Sequence, residues 1–362
     1  MSFIKNLFGK KEAPIESYKD FWHWFQKNEK AFFKVLKNDG DVETDFLDKL
    51  SLKLGELRDG YFFLAGMLND NTAELILTAD GNILNLVFVE ELVEAAPNIT
   101  GWQFKAHKPA IDIENVSISM GGYKFESENL SFYPNEYSEY PDEIAITIVH
   151  DSYNEENKNT IINGSYIFLD NYLGELDTAT IIDEIKIMGK DSAEKELIPI
   201  AKLKAYINWR QKEFIEKYEG VRQNSYDDEH SILEFKLKNG NVVLAVVNTD
   251  LMQWDKKASH PWMATIEMKF DDDFNGMPKD DTRLLLEQIE EEMVHELLDA
   301  DGYLYIGRET GNNNREIYFA CKDFRKPSQV LNEIVKQYSG KIAISYDIYK
   351  DKYWQSFKRF VI

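Results

Sequence analysis

Hydrophobic and polar residues alternate most regularly in the last third of the chain. From Trp262 to Phe270 every second residue is apolar, which predicts a strand with one buried face. Five more elements are predicted after it: a helix over 281–298, strands over 303–308 and 315–322, a helix over 327–338 and a strand over 342–349. With right-handed crossovers, this order predicts four antiparallel strands with both helices on one face, a β-α-β-β-α-β unit of the ferredoxin-like kind. The predicted fold class is therefore α+β.

A β-hairpin is predicted immediately before this unit. Leu233, Phe235 and Leu237 alternate with charged residues, and Asn239-Gly240 is the dipeptide that a type I′ turn needs. The return strand over 242–247 is apolar on both faces, which predicts a central position in a sheet. Strand alternation also predicts side-chain directions. Leu304, Ile306, Ile317, Phe319 and Cys321 are expected to face the helices, and Tyr303, Tyr305 and Tyr318 the opposite side.

The rest of the chain mixes helices with short strands. The predicted helices span 15–36, a segment ending near 57, 82–96, 157–170 and 192–218, and the predicted strands span 61–68, 73–79, 102–107, 113–120, 142–150 and 180–188. The first helix carries an aromatic stripe at helical spacing, which is typical of core packing. Residues 121–143 are predicted to form an acidic, tyrosine-rich loop.

Two segments of the chain share a pattern, which bears on its domain organisation. Residues 59–108 align with 301–350 without a gap, and Asp-Gly-Tyr opens both segments. The agreement predicts two related modules, of which the C-terminal one is the ferredoxin-like unit with its added hairpin. A polar stretch near 219–230 suggests a boundary. The predicted domains are an N-terminal α+β domain over 1–190, a connecting helix and linker over 191–228, and a C-terminal domain over 229–362.

Composition narrows the choice of partners. The formal net charge is −22, from 64 acidic and 42 basic residues, so the chain repels nucleic-acid phosphates and favours a basic or other protein partner. The sequence lacks an apolar run long enough to span a membrane, and we expect a cytoplasmic protein without stable membrane insertion. Phe3, Ile4, Leu7 and Phe8 make a short amphipathic turn, for which a frayed or locally docked terminus is the preferred interpretation. Cys321, the one cysteine, is predicted to be a buried, inert thiol.

Two motifs that resemble metal sites are incomplete. The Asp271–Gly276 segment resembles the start of a calcium loop, but Thr282 occupies the position of the required glutamate and Pro278 interrupts the loop. A turn that caps the next helix is therefore predicted. Glu292 and His295 have the spacing of a di-iron helix without the matching carboxylates. The sequence also lacks a phosphate-binding glycine loop and a nucleophile elbow, so we predict no cofactor and favour a non-enzymatic protein.

From Ser231 onward the chain resembles a known bacterial family. The resemblance rests on Gly276-Met-Pro278, Tyr305-Ile-Gly-Arg-Glu-Thr310, Arg315-Glu-Ile-Tyr-Phe319 and the late Asp351-x-x-Trp354. These segments are similar to the domain-of-unknown-function family numbered 695, although the chain has Ala320 where that family has tyrosine. The family's module resembles the small ferredoxin-like regulator B of ribonuclease E, which binds the nuclease. The resemblance therefore implies a binding role rather than chemistry.

The leading functional hypothesis is a binding or regulatory protein that acts through protein–protein contacts. Its candidate interaction surface comprises Tyr303, Tyr305, Tyr318, Arg308, Arg315 and Glu316. An intramolecular interface is the favoured interpretation of the tyrosines, and a structural Arg–Glu pair that of the charged residues. The alternative is an enzyme or small-ligand protein with its site in the cleft between the two halves. An assembly subunit is a third hypothesis, and the oligomeric state stays open.

Overall fold

The computed structural model describes residues 14–38, 40–218, 222, 224–271 and 275–360. The chain divides into two compact units, Met1–Pro109 and Ala110–Ile362. Helices and several sheets occur together, so the predicted α+β fold class is confirmed. The predicted domain boundaries after 190 and after 228 both lie inside the second unit and stay predictions. The amphipathic turn predicted near the N-terminus lies outside the described residues.

The first unit is a three-stranded sheet covered on one face by helices. Its elements are α1 (Tyr18–Lys37), a π-helical turn (Glu43–Leu47), α2 (Asp48–Leu57), β1 (Phe62–Asn69), β2 (Thr72–Thr78), α3 (Ile83–Glu94) and β3 (Trp102–Ala106). The strand order is β1-β2-β3, with an antiparallel and then a parallel pair. Helix α1 begins at Ser17, whose hydroxyl accepts from the Asp20 amide (3.2 Å). Its aromatic stripe packs on the sheet as predicted, with the ring of Phe25 4.9 Å from that of Trp102.

The second unit contains two larger sheets. Its first part comprises β4 (Ile118–Met120), β5 (Tyr123–Phe125), β6 (Leu130–Asn135), β7 (Ala145–His150), α4 (Lys158–Leu173), α5 (Glu175–Thr180), β8 (Glu184–Gly189), β9 (Ile198–Pro199) and α6 (Leu203–Lys217). The order β8-β7-β6-β9 places β7, buried along its whole length, inside the sheet. Helices α4 and α6 share one apolar core with β6 and β7 of this sheet.

Three predictions in this part are wrong at the level of single elements. The predicted loop over 121–143 contains β5 and β6, because Leu130 and Phe132 are buried although their neighbours are polar. The helix predicted over 192–218 begins only at Leu203, since Pro199 pairs with the edge of β6. The strand predicted over 113–120 is a 3-10 turn followed by the short β4.

The second part of this unit is a six-stranded antiparallel sheet. Its elements are β10 (His230–Lys236), β11 (Val242–Asn248), α7 (Thr249–Gln253), β12 (Trp262–Lys269), α8 (Asp280–Glu296), β13 (Tyr303–Gly311), β14 (Asn314–Cys321), α9 (Arg325–Tyr338), β15 (Ala343–Lys350) and a 3-10 segment (Gln355–Phe360). The strand order is β10-β11-β13-β14-β12-β15. The predicted hairpin therefore extends the same sheet, and the central position of its return strand is confirmed. Helices α8 and α9 lie side by side, where Gln288 Nε2 donates to Tyr338 Oη (2.8 Å).

The predicted side-chain directions are confirmed for β14 and wrong for β13. Tyr303 and Tyr305 stand opposite Cys321 and Phe319 and therefore share the face covered by α8. Leu304 belongs to the apolar cluster of the other face, which α7 and the 3-10 segment cover. Because both faces of this sheet are buried, both alternate sets of β13 are hydrophobic, and alternation could not tell which set faces the helices.

Residues 59–108 and 301–350 share the order of their elements along the chain but not the order of the strands in their sheets. Each contains strand, strand, helix and strand, and Gly60 and Gly302 both adopt positive φ after the shared aspartate (84° and 92°). In the first unit β2 and β3 are adjacent, whereas β12 lies between β14 and β15 in the C-terminal sheet. The relation between the two modules stays a prediction.

Candidate functional site

The six predicted surface residues lie on two faces of one sheet. Tyr303, Tyr305, Arg308 and Arg315 are on the side of α8, and Glu316 and Tyr318 are on the opposite side. Tyr303, Tyr318 and Arg315 are buried, and the other three are partly exposed. All of these residues except Tyr303 belong to one of two separate polar clusters.

The cluster beneath α8 is centred on Glu290. Tyr305 Oη and Arg308 Nη1 each donate to its Oε1 at 2.6 Å. Arg315 Nη1 lies 3.5 Å from its Oε2, while Arg315 Nε donates to Thr310 (2.9 Å). One carboxylate therefore neutralises part of two guanidinium charges in a site with little access to water.

The pKa values of this cluster follow from burial and from Glu290. Burial, followed by the neighbouring carboxylate, raises the pKa of Tyr305 well above that of a free phenol. Burial alone would lower the pKa of Arg308, but the close Glu290 carboxylate raises it above its usual range. For Arg315 burial prevails and the pKa is lowered, since its contact with Glu290 is longer. Tyr305 thus stays a hydrogen-bond donor and Glu290 its acceptor.

The predicted Arg–Glu pair exists, but with a different glutamate. The sequence predicts a pair of Arg308 or Arg315 with Glu316, whereas in the structure both arginines lie against Glu290 of α8. Glu290 is buried. The sequence does contain a signal for this burial, because Glu290 lies four residues after Leu286 and three before Met293, on the apolar stripe of α8.

The cluster on the opposite face fixes the end of the chain to the sheet. Tyr318 Oη lies within hydrogen-bond distance of Glu309 (2.6 Å) and of Glu316, either of which can accept its one proton, and Arg359 Nη2 donates to Glu309 (2.6 Å). Burial, followed by these two carboxylates, raises the pKa of Tyr318 far above its usual value. The ring of Tyr318 packs edge-on against Phe357, with centroids 5.0 Å apart. These contacts are all internal to the second unit.

A third polar cluster joins the two sheets of the second unit. Asp183, just before β8, pairs with Lys350 (2.7 Å) and Lys352 (2.6 Å) at the end of β15. Nearby, Asp142 accepts from Tyr353 (2.6 Å) and from Lys217 (2.8 Å). These polar groups bind one another. The alternative of a small-ligand site between the halves of the chain stays a prediction.

Helix α8 also forms one wall of an open groove. The groove measures about 700 Å³ and lies between α8 and α9. Its lining comprises Gln288, Glu291, Glu292, His295, Glu296, Gln329, Val330, Glu333, Ile334 and Gln337. Four of these ten residues are glutamates, and the part of the chain that the structure describes places no lysine or arginine among them. The groove is therefore acidic, with apolar residues of α9 in its floor.

The glutamates of the groove differ in what they already bind. Glu292 accepts from Tyr338 Oη (2.5 Å), Gln288 (3.1 Å) and Gln337 (3.2 Å), so it braces the two helices. Glu333 pairs with Lys336 at the rim (2.9 Å). Glu291 is exposed, and Glu296 contacts the neighbouring His295 (3.4 Å). Glu291 and Glu296 are thus positioned to meet a cation from outside.

One comparison with known proteins gives a match, and it covers the C-terminal sheet. The six-stranded sheet with α8 and α9 is an α+β domain, and residues 235–362, which include it almost entirely, match the model of a family described as "Family of unknown function (DUF695)". The predicted resemblance of the C-terminal part is thereby confirmed. No curated protein and no solved structure matches the chain. Among the described residues, none of the helices combines the length and apolar character needed to cross a membrane.

Proposed function

We propose that this is a non-enzymatic binding protein whose groove between α8 and α9 receives a cationic segment of a partner protein. The observation that carries the proposal is the combination of glutamates and apolar floor in one open groove of about 700 Å³. A groove of this kind suits side chains that are apolar along their stems and charged at their ends. Lysine and arginine are the residues that fit this description.

The chemistry of the groove selects the partner by charge. Aliphatic stems would pack over Val330 and Ile334, while ammonium or guanidinium groups would pair with Glu291 and Glu296. The net charge of −22 attracts the same class of partner at longer range and repels nucleic acid. Because these contacts are partly exposed, their strength should fall as salt is added.

A double charge reversal tests the proposal. The wild type, Glu291→Lys/Glu296→Lys and a matched control would be immobilised, and proteins retained from lysate would be compared by quantitative mass spectrometry. Glu213→Lys/Glu216→Lys on α6 is the control, since it makes the same charge change at exposed glutamates outside the groove. We expect basic proteins that the wild type and the control retain and the groove variant loses. Direct titration of the purified partner at low and high salt then gives the affinity.

Retention of the same proteins by the wild type and both variants would place binding outside the groove and overturn the proposal. Parallel loss from the groove variant and the α6 control would do the same. Circular dichroism of each variant checks that the fold persists.

A further inference from the structure

The edge strand β1 of the first unit lacks the charged residues and prolines that normally prevent edge strands from pairing. It pairs with β2 alone among the described residues. The eight residues Phe62–Asn69 include no charged residue and no proline, and Tyr61 before them is also uncharged. Natural proteins usually protect a free edge with a charge, a proline or a covering element. A long uncharged edge is a template for another strand.

The side chains of β1 add an apolar face to this edge. Phe62 and Leu64 point to the same side of the sheet, away from α1, and are 53% and 49% exposed. Leu68 is 53% exposed as well, beyond a register shift near the end of the strand. Ile76 of β2, opposite Leu64, continues this face. The opposite face, by contrast, is buried against the aromatic residues of α1.

We propose that two copies of the chain associate through antiparallel pairing of their β1 strands. A second copy is the occupant that this strand fits, since an uncharged apolar strand is complementary to itself under a two-fold axis. Pairing would join two three-stranded sheets into one six-stranded sheet and cover Phe62 and Leu64 of both copies. The repeated strand carries no like charges that would be brought face to face. This interface is independent of the acidic groove, which belongs to the second unit.

Salt distinguishes this interface from the groove. Each copy carries a net charge of −22, so the copies repel one another, and pairing should strengthen as ionic strength rises. Binding of a cationic segment in the groove should weaken under the same conditions.

Light scattering coupled to size exclusion tests the proposal on the full chain. The wild type is expected at twice the 42.2 kDa mass of one chain, and Leu64→Lys at the mass of one chain. Leu52→Lys is the matched control, because Leu52 is 66% exposed on α2 and outside the edge, and it should remain a dimer. Sedimentation at low and high salt gives the shift in dissociation constant. Far-UV circular dichroism confirms that both variants are folded.

Cysteine cross-linking separates edge pairing from stacking of the exposed faces. Cys321 is fully buried, so Leu64→Cys on the exposed face of β1 introduces the accessible thiol. Antiparallel pairing centred near this residue brings its two copies close enough for a disulfide, and mild oxidation should yield a covalent dimer that Leu52→Cys does not form. A monomeric wild type overturns the proposal. So does a dimer that survives Leu64→Lys, or a dimer that Leu64→Cys fails to cross-link.

Discussion

Glu290 of α8 binds two arginines and a tyrosine of the C-terminal sheet. Its side chain is 10% exposed and accepts from Tyr305 and Arg308 at 2.6 Å. The desolvation cost of burying this carboxylate offsets most of its attraction to the arginines, so its net contribution to stability is small. Its removal is nevertheless destabilising, because it leaves buried positive charge without a partner. Replacement of Glu290 would therefore remove the shared partner of Arg308, Arg315 and Tyr305.

We predict that Glu290→Gln lowers the free energy of unfolding by roughly 3 kcal/mol, because Arg308 and Arg315 lose their shared counter-charge. Urea unfolding followed by circular dichroism measures the effect. Glu291→Gln is the matched control, since the next residue on the helix is exposed and should change stability by less than about 0.5 kcal/mol. Equal stabilities of the two variants would contradict the structural role of Glu290.

At the scale of elements, two glycines permit the contact between β11 and β13. Gly307 and Gly311 have φ values of 149° and 153°, and a Cβ at either would overlap a carbonyl oxygen of β11. Gly307 also follows a register shift, after which the other alternate set of β13 residues faces α8. This shift brings Arg308 to the same side as Tyr305.

We predict that Gly307→Ala destabilises the second unit by roughly 3 kcal/mol, because the new methyl group meets the Val246 carbonyl and the backbone is strained. Gly340→Ala in the same unit is the control, since nothing lies within 4 Å of its added Cβ. Hydrogen exchange of the β11 and β13 amides should accelerate in the first variant alone. Similar protection in both variants would show that the strands accommodate the added methyl group without cost and would contradict the prediction.

The elements of the C-terminal sheet and the side-chain directions of β14 could be predicted from the sequence, whereas the side-chain directions of β13 and the partners of its polar residues could not. Regular alternation in β12 and the amphipathic helices each report burial of one face, and burial sets the periodicity. Alternation does not identify the helix-facing side of β13, where both faces are covered, and in β6 it is limited to Leu130 and Phe132. The charge of Glu290 favours exposure, whereas its position on the apolar stripe of α8 favours burial, and the position prevails.

At the scale of the whole chain, buried polar contacts link the two sheets of the second unit. Asp183 lies between Lys350 and Lys352, so one buried carboxylate faces two ammonium groups. Burial, partly offset by Asp183, lowers the pKa of Lys350 to about 8. The link therefore carries a proton that the folded chain binds less tightly than an unfolded chain would.

The pH dependence of stability should report this proton. Lys350 has a folded-state pKa of about 8, below the value near 10.4 of an unfolded lysine, so the unfolded chain binds more protons in that window. Its contribution to stability consequently rises between about pH 8 and pH 10.4. In thermal unfolding across this range, Lys350→Met should lose part of the rise seen for the wild type. Lys212→Met, at a largely exposed lysine, should keep it, and identical curves for all three would contradict the assignment.

Because Cys321 is buried, its reactivity reports local unfolding of the C-terminal sheet. The thiol is fully buried in β14, and burial raises its pKa well above the ordinary value, so a thiol reagent can reach it only when this strand is transiently exposed. The sequence contains no second cysteine. The rate of that reaction under native conditions therefore measures how often the β14 region of the C-terminal sheet unfolds locally.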